Sequence, residues 1–256
     1  MIHNTARLPR RRLASALAAV AATGLLVSGC AGLGGSAREK SSQELYDEGT
    51  RLASRKRYEE AVQAFREASR TYRGADLDAD IQIALADAQF SNEEYTAAGE
   101  AYAEFLRMHP HNARADYAQL RVGLSWSKQM GSAERSQEAA RKAVAAYEAL
   151  LRGYPRSSLL EEGRRGLKEA RRRIAEHEFS VGEFYSRRGS DRAAAGRFEV
   201  VLRDFADLGF AERALYELGR CYERLQETER AARLFEQLRR EYPQSRYLKE
   251  LDERKS

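Results

Sequence analysis

The run Glu176-His177-Glu178 sets two carboxylates and an imidazole side by side, the residue types of a metal site or an acid–base pair. On a helix, adjacent side chains point about 100° apart and do not converge. His177 has Arg173 four residues before it and Val181 four after, so the paired-histidine geometry of a zinc hydrolase does not arise. His109 and His111 flank Pro110 in MHPHN, a spacing that can clip a metal, but no third ligand is near in sequence. No nucleophile elbow, phosphate loop, dinucleotide fingerprint or Cys/His cluster occurs. The expectation is a protein without catalytic residues, metal or cofactor.

Cys30 is the residue with a chemical role to offer. It ends the long apolar run, in LLVSGCAG. Arg7, Arg10, Arg11 and Arg12 precede that run, which extends from Leu13 to Val27. A positive segment, a short apolar one and small residues make a signal peptide; a membrane span needs about 20 apolar residues. Val27-Ser28-Gly29-Cys30 resembles a bacterial lipoprotein signal. That resemblance implies cleavage before Cys30 and acylation of its sulfur and new amino group. Each buried methylene then contributes about 0.8 kcal/mol of anchoring. Ala31 stands where an aspartate would signal inner-membrane retention, so the resemblance implies outer-membrane sorting. With Cys30 acylated, Cys221 has no partner in the chain, and its place in the helical run ALYELGRCYERL predicts a core position.

The elements behind these residues are helices. Charged residues are 32% of the 256, and only 4 are proline, which favours helix over sheet. Without the four N-terminal arginines the formal charge falls from +5 to +1, which gives no push toward nucleic acid. Residues 31–42 are rich in Gly and Ser, the composition of a flexible tether.

Beyond the tether the sequence repeats. Gly49, Gly123, Gly182 and Gly219 mark first helices, and Ala61, Ala98, Ala143, Ala194 and Ala231 mark second helices, each followed four residues later by an aromatic. This is tetratricopeptide (TPR) spacing. The small residues predict close helix approach, with the aromatic filling the gap toward the next repeat. Pro110, Pro155 and Pro243 end helices. The third copy carries about eight extra residues around MGSAERSQ. The expected fold is all-α, a right-handed superhelix of five TPR helix pairs in two lobes joined by a long helix. Helices are expected at about 43–54, 58–72, 76–91, 93–108, 112–129, 137–153, 158–188, 190–205, 208–225 and 227–242, with a short cap after Ser245. The boundaries are 1–29 for the signal, 30–42 for the lipidated tether, 43–156 for the N-terminal lobe and 157–250 for the long helix and C-terminal lobe.

Ile174-Ala175-Glu176-His177-Glu178, Val181, Phe184-Tyr185 and Arg188-Gly189, with LLRGYP and ARKAVAAYEAL, resemble the BamD family, the lipid-anchored TPR components of the outer-membrane β-barrel assembly machinery. The resemblance runs from about residue 43 to 247. It departs from the family at Ser136-Gln137, where the family has Asp-Gln or Asp-Pro, and at TYRGAD, where it has Tyr-Pro. It implies a non-catalytic scaffold for inserting outer-membrane proteins, anchored on the periplasmic face of the outer membrane. Two surfaces follow from it. The N-terminal lobe would receive unfolded outer-membrane proteins along Tyr46, Thr50, Ile83, Asp87, Phe90, Tyr117, Leu120 and Leu124. The C-terminal lobe would dock the periplasmic domains of the barrel-forming subunit through Arg197 and Glu199, beside other assembly lipoproteins. The same side chains in the first set also suit packing between helices, and Arg197 also suits a solvated helix face.

A rival is a TPR lipoprotein that coordinates cell-wall synthesis with envelope constriction; such proteins carry an N-terminal coiled coil, and residues 31–42 are too short and glycine-rich for one. A wall hydrolase would need a lysozyme-like domain, for which the sequence leaves no room. The basic run GRRGLKEARRRIAEHE puts Arg164, Lys168, Arg171 and Arg172 on one helix face, with Glu161, Glu162 and Glu169 as local partners or, alternatively, lipid headgroups.

Overall fold

The computed structural model describes residues 39–74, 77–131 and 137–253. The signal segment, Cys30, most of the tether and Ser136 lie outside them. Residues 40–256 make one compact unit. Its helices are α1 (Ser42–Ser54), α2 (Tyr58–Thr71), α3 (Asp78–Ser91), α4 (Tyr95–Met108), α5 (Ala115–Ser127), α6 (Glu138–Gly153), α7 (Leu160–Arg187), α8 (Asp191–Asp204), α9 (Ala211–Arg224), α10 (Thr228–Glu241) and α11 (Arg246–Glu253). They follow the expected order, with ends one to three residues shorter in most cases. A 3₁₀ turn at Ala206–Leu208, closed by Gly209 at φ 84°, was not expected and separates α8 from α9.

Local chemistry sets the ends. Ser41 caps α1 in a reciprocal box: the Glu44 amide donates to Ser41 Oγ, and the Ser41 amide to Glu44 Oε2. Within every pair but the third, where residues 128–137 link α5 to α6, the chain reverses in three residues. Arg57 N–H reaches Leu52 O at 3.0 Å and Lys56 N–H reaches Ala53 O at 2.9 Å, the two bonds of a Schellman motif. Glu93, Gly189 and Gln226 occupy the same left-handed position as Lys56. Between pairs, Pro110, Pro155 and Pro243 follow the helix ends, and Asn112, Ser157 and Ser245 close the turn back onto His109, Tyr154 and Tyr242.

Each helix from α1 to α10 packs on its chain neighbours, and α1 also meets α3, as α5 meets α7. The repeated contact is an aromatic ring of the second helix lying on the glycine of the first. A Cβ added at Gly49 would sit 2.6 Å from Phe65, at Gly123 2.5 Å from Tyr147, and at Gly182 2.7 Å from Phe198. Gly219 meets Phe235 in the same way. This corrects the expectation that the aromatic chiefly fills the gap to the next repeat: it seals its own pair. Tyr147 does both, because α7 brings Gly166 onto its other face.

The 28 residues of α7 thus serve two pairs. Its first half closes the third pair through Gly163 on Leu150 and Gly166 on Tyr147. Its second half, with Phe179 and Gly182 buried, is the first helix of the fourth pair.

Candidate binding surfaces

In the N-terminal half a depression of 270 Å³ opens between α1, α2 and α3. Tyr46, Thr50, Ile83 and Asp87 line it, with Phe65, Ser91 and Arg114. Ile83 is 1% exposed and forms the floor. The Tyr46 and Phe65 rings meet at 5.8 Å. Thr50 Oγ1 donates to the Tyr46 carbonyl at 2.9 Å, so its hydroxyl is satisfied within α1.

Asp87 ends this depression and begins a second cluster. Tyr117 Oη donates to Asp87 Oδ1 at 2.7 Å, and Tyr102 Oη donates to the same oxygen. Arg121 Nε donates to Tyr102 Oη at 2.9 Å and lies 3.8 Å from Asp87. Its guanidinium stacks 3.7 Å above the centre of Phe90, whose edge meets Tyr95. One helix turn pair away, Arg114 pairs with Asp80. Burial, then Asp87, pushes the Tyr102 phenol well above its usual range; burial and the hydrogen bond to Asp87 push Tyr117 up to about 12. Neither ring supplies a phenolate at neutral pH. The cluster is a satisfied polar seam that fixes α3, α4 and α5 and presents an aromatic rim; its capacity is for binding.

The structure therefore gathers Tyr46, Thr50, Ile83 and Asp87 around one depression and places Phe90 and Tyr117 beside it. Leu120 and Leu124 correct the expectation. Leu120 is 3% exposed among Ala143, Tyr147, Leu150 and Ala170, and Leu124 packs on that cluster. The face of α5 toward α3 is carried by Tyr117 and Arg121 instead. Sequence reading missed Arg121, Arg114, Asp80 and Tyr102. A signal existed: Asp80 and Asp87 on α3, and Arg114 and Arg121 leading into and along α5, each recur at seven residues.

In the C-terminal half, Arg197 and Glu199 face different neighbours. Arg197 Nη1 donates to Glu178 Oε2 at 2.8 Å, and Arg141 lies 3.7 Å from the other oxygen. The Glu178 side chain is 6% exposed. Arg197, expected at the interface with the barrel-forming subunit, is thus paired within its own chain. Glu199 accepts from Tyr222 Oη in a 220 Å³ depression where Arg230 lies 4.4 Å over the Tyr222 ring. Burial and then Glu199 push Tyr222 up to about 12.

Most of the remaining candidates are engaged in structural roles. Glu176 accepts from Arg172 at 3.1 Å. His109 lies 3.2 Å from Asp78 and against Phe105. Among the described residues, no three His, Cys, Asp or Glu side chains are grouped to hold a metal. Arg164 pairs with Glu161, Arg172 with Glu176, and Arg171 takes Asp207 in two bonds plus the Asp204 carbonyl. Cys221 is buried, and burial raises its thiol to about 11. No described helix is long and apolar enough to cross a membrane.

Among solved structures, the chain is similar to the TPR2AB domain of yeast Sti1 in its pHSP90 complex, at a TM-score of 0.44, 14% identity and coverage of 79% and 78% of the two chains. Curated relatives are outer membrane protein assembly factors BamD. That of Caulobacter vibrioides is 26% identical over 200 residues, 77% of this chain and 66% of its own length. That of Rickettsia prowazekii is 23% identical over 243 residues, 92% and 94%; that of Neisseria gonorrhoeae is 24% identical over 241 residues, 88% and 90%. The family model YfiO, described as an outer membrane lipoprotein, matches residues 38–234. With every helix from α1 to α9 inside that match, the chain belongs to the YfiO family of outer membrane lipoproteins.

Proposed function

We propose that this chain is a non-catalytic scaffold of the β-barrel assembly machinery that assists the folding and insertion of outer-membrane proteins. The observation that carries the reading is the family match over residues 38–234, joined by BamD relatives aligned over most of the chain. In this reading acylated Cys30 holds the helix stack at the periplasmic face of the outer membrane. An extended segment of an unfolded outer-membrane protein lies in the depression at Tyr46, Thr50, Ile83 and Asp87, with Phe90 and Tyr117 along its course. Alternate side chains of such a segment fall on one face and enter a pocket together. The C-terminal half, including Arg197 and Glu199, meets the periplasmic domains of the barrel-forming subunit, with other assembly lipoproteins alongside.

Thr50→Trp tests the substrate site, because Thr50 is exposed on the wall and an indole there fills the depression. The expected result is a loss of affinity for a urea-unfolded outer-membrane protein on the order of tenfold, about 1.4 kcal/mol, with thermal stability unchanged. Unchanged affinity places the substrate elsewhere.

A further inference from the structure

A depression of 430 Å³ lies outside both surfaces above. It is a notch between α4 and α6, across the end of α5, and the ring of Trp126 lines it. Gly99 lets α5 come in under the notch: a Cβ there would meet Ser125 at 3.3 Å and Trp126 at 3.6 Å. The ammonium of Lys142 lies 4.3 Å over the indole and 2.8 Å from Glu138. Glu100, exposed on α4, stands on the opposite rim.

The same repeat positions form the notch at Tyr222, and the comparison is informative. There Arg230 takes the place of Lys142, and Tyr222 that of Trp126. That notch is smaller and bridged by charges. Arg192 and Glu227 lie 3.7 Å apart across it, Glu227 also holds Arg230 at 2.8 Å, and Glu199 accepts the tyrosine hydroxyl. Its volume is 220 Å³. At the Trp126 notch the positions of Arg192 and Glu227 are Thr96 and Ala139, so these two positions form no ion pair across it, and Ala103 replaces Glu199. Thr96 turns instead to Gln129, at 2.7 Å. One notch is bridged by Arg192 and Glu227, and its counterpart is wider, with an indole floor and a carboxylate on each side.

We propose that the Trp126 notch is a docking site for an arginine side chain of a partner protein. Charge selects the occupant. An indole face is the strongest aromatic attractor of cations, and Glu100 and Glu138 flank it. Lys142 shows that a cation is stable over the ring, and its side chain is 46% exposed, free to swing aside while keeping Glu138. A guanidinium outcompetes it because it is planar, more weakly hydrated, and pairs in two bonds with a carboxylate while stacking. The partner segment therefore carries an arginine at its centre and needs no apolar stripe. This site is separate from the substrate depression and does not rest on the function proposed for it.

Trp126 is the chain's single tryptophan, so its emission reports the notch directly. The full-length chain in detergent is titrated with acetyl-Gly-Arg-Gly-amide and with the same peptide carrying citrulline, which keeps the shape and loses the charge. The expected result is a saturable change in Trp126 emission with the arginine peptide, weakened on the order of tenfold for citrulline. Lys142→Ala, which removes the resident competitor, strengthens binding about threefold or more, and Glu100→Gln weakens it. Indistinguishable arginine and citrulline titrations, or no saturable change in the wild-type chain, overturn the proposal. Lys142→Met, which keeps the packing of the stem, repeats the test if Lys142→Ala does not fold; no gain in affinity there also overturns it.

Discussion

Arg197 donates to Glu178 at 2.8 Å across the seam between α7 and α8, and the Glu178 side chain is only 6% exposed. The relationship decides how Arg197 has to be tested. Removing the guanidinium leaves a carboxylate in the core with Arg141 at 3.7 Å. A fully buried pair broken from one side costs roughly 3–5 kcal/mol. Arg197 is 43% exposed, so solvent reaches this pair and the expected cost of Arg197→Ala is about 1–3 kcal/mol. Urea unfolding checks it. Arg197→Ala with Glu178→Gln removes the orphaned charge and is expected to regain most of that stability. If Arg197 also contacts the barrel subunit, the double variant regains stability and not affinity.

Glycine-to-alanine exchanges are expected to split by position. Gly123→Ala drives a methyl into the Tyr147 ring, which Gly166 holds from the other side. Overpacking there costs about 1–3 kcal/mol, more than the helix preference of alanine returns. Gly196, within α8, has nothing within 4 Å of an added Cβ, so Gly196→Ala gains about 0.5–1 kcal/mol. Opposite shifts of the urea midpoint support the ring-on-glycine account; a gain at both positions contradicts it.

Cys221 supplies a pH dependence. Burial raises its thiol to about 11, so the folded state holds this proton more tightly than the unfolded chain does. Its contribution to stability is fully present below the unfolded thiol value, and is lost as pH rises from about 9 toward about 11. In a Cys30→Ala background, thermal midpoints are expected to fall across that range, and Cys221→Ala to reduce the slope. Ellman's reagent at pH 8 is expected to label Cys221 only as fast as the core opens. A thiol that labels at once in the folded protein contradicts the burial.

The helices were legible because their signals are local. Ala61, Ala98, Ala194 and Ala231 each precede a buried ring by four residues, and Pro110, Pro155 and Pro243 punctuate the turns. The surfaces were less so, because they depend on partners far along the chain. Asp87 and Tyr117 are thirty residues apart. Extending one repeat frame to every first helix put Leu120 and Leu124 on the groove. It failed at α5 because α7, following the enlarged third pair, lays Gly163 and Gly166 over Leu150 and Tyr147 and closes that side. Lys56, Glu93 and Gln226 lack the glycine that marks a left-handed turn, so among these four turns within pairs Gly189 alone carried that signal in its residue type. At Arg197 the expected partner was another subunit; the partner within the chain was hidden in Glu176-His177-Glu178, where Glu178 turns inward and Glu176 outward.

The central claim, that this chain serves barrel assembly from a lipid anchor, meets its most direct test in affinity purification of the full-length chain from detergent-solubilised membranes. The account predicts that the barrel-forming subunit elutes with the wild-type chain and with Thr50→Trp, and that Cys30→Ala moves the chain out of the membrane fraction. Recovery of cell-wall synthesis enzymes without the barrel subunit would contradict it.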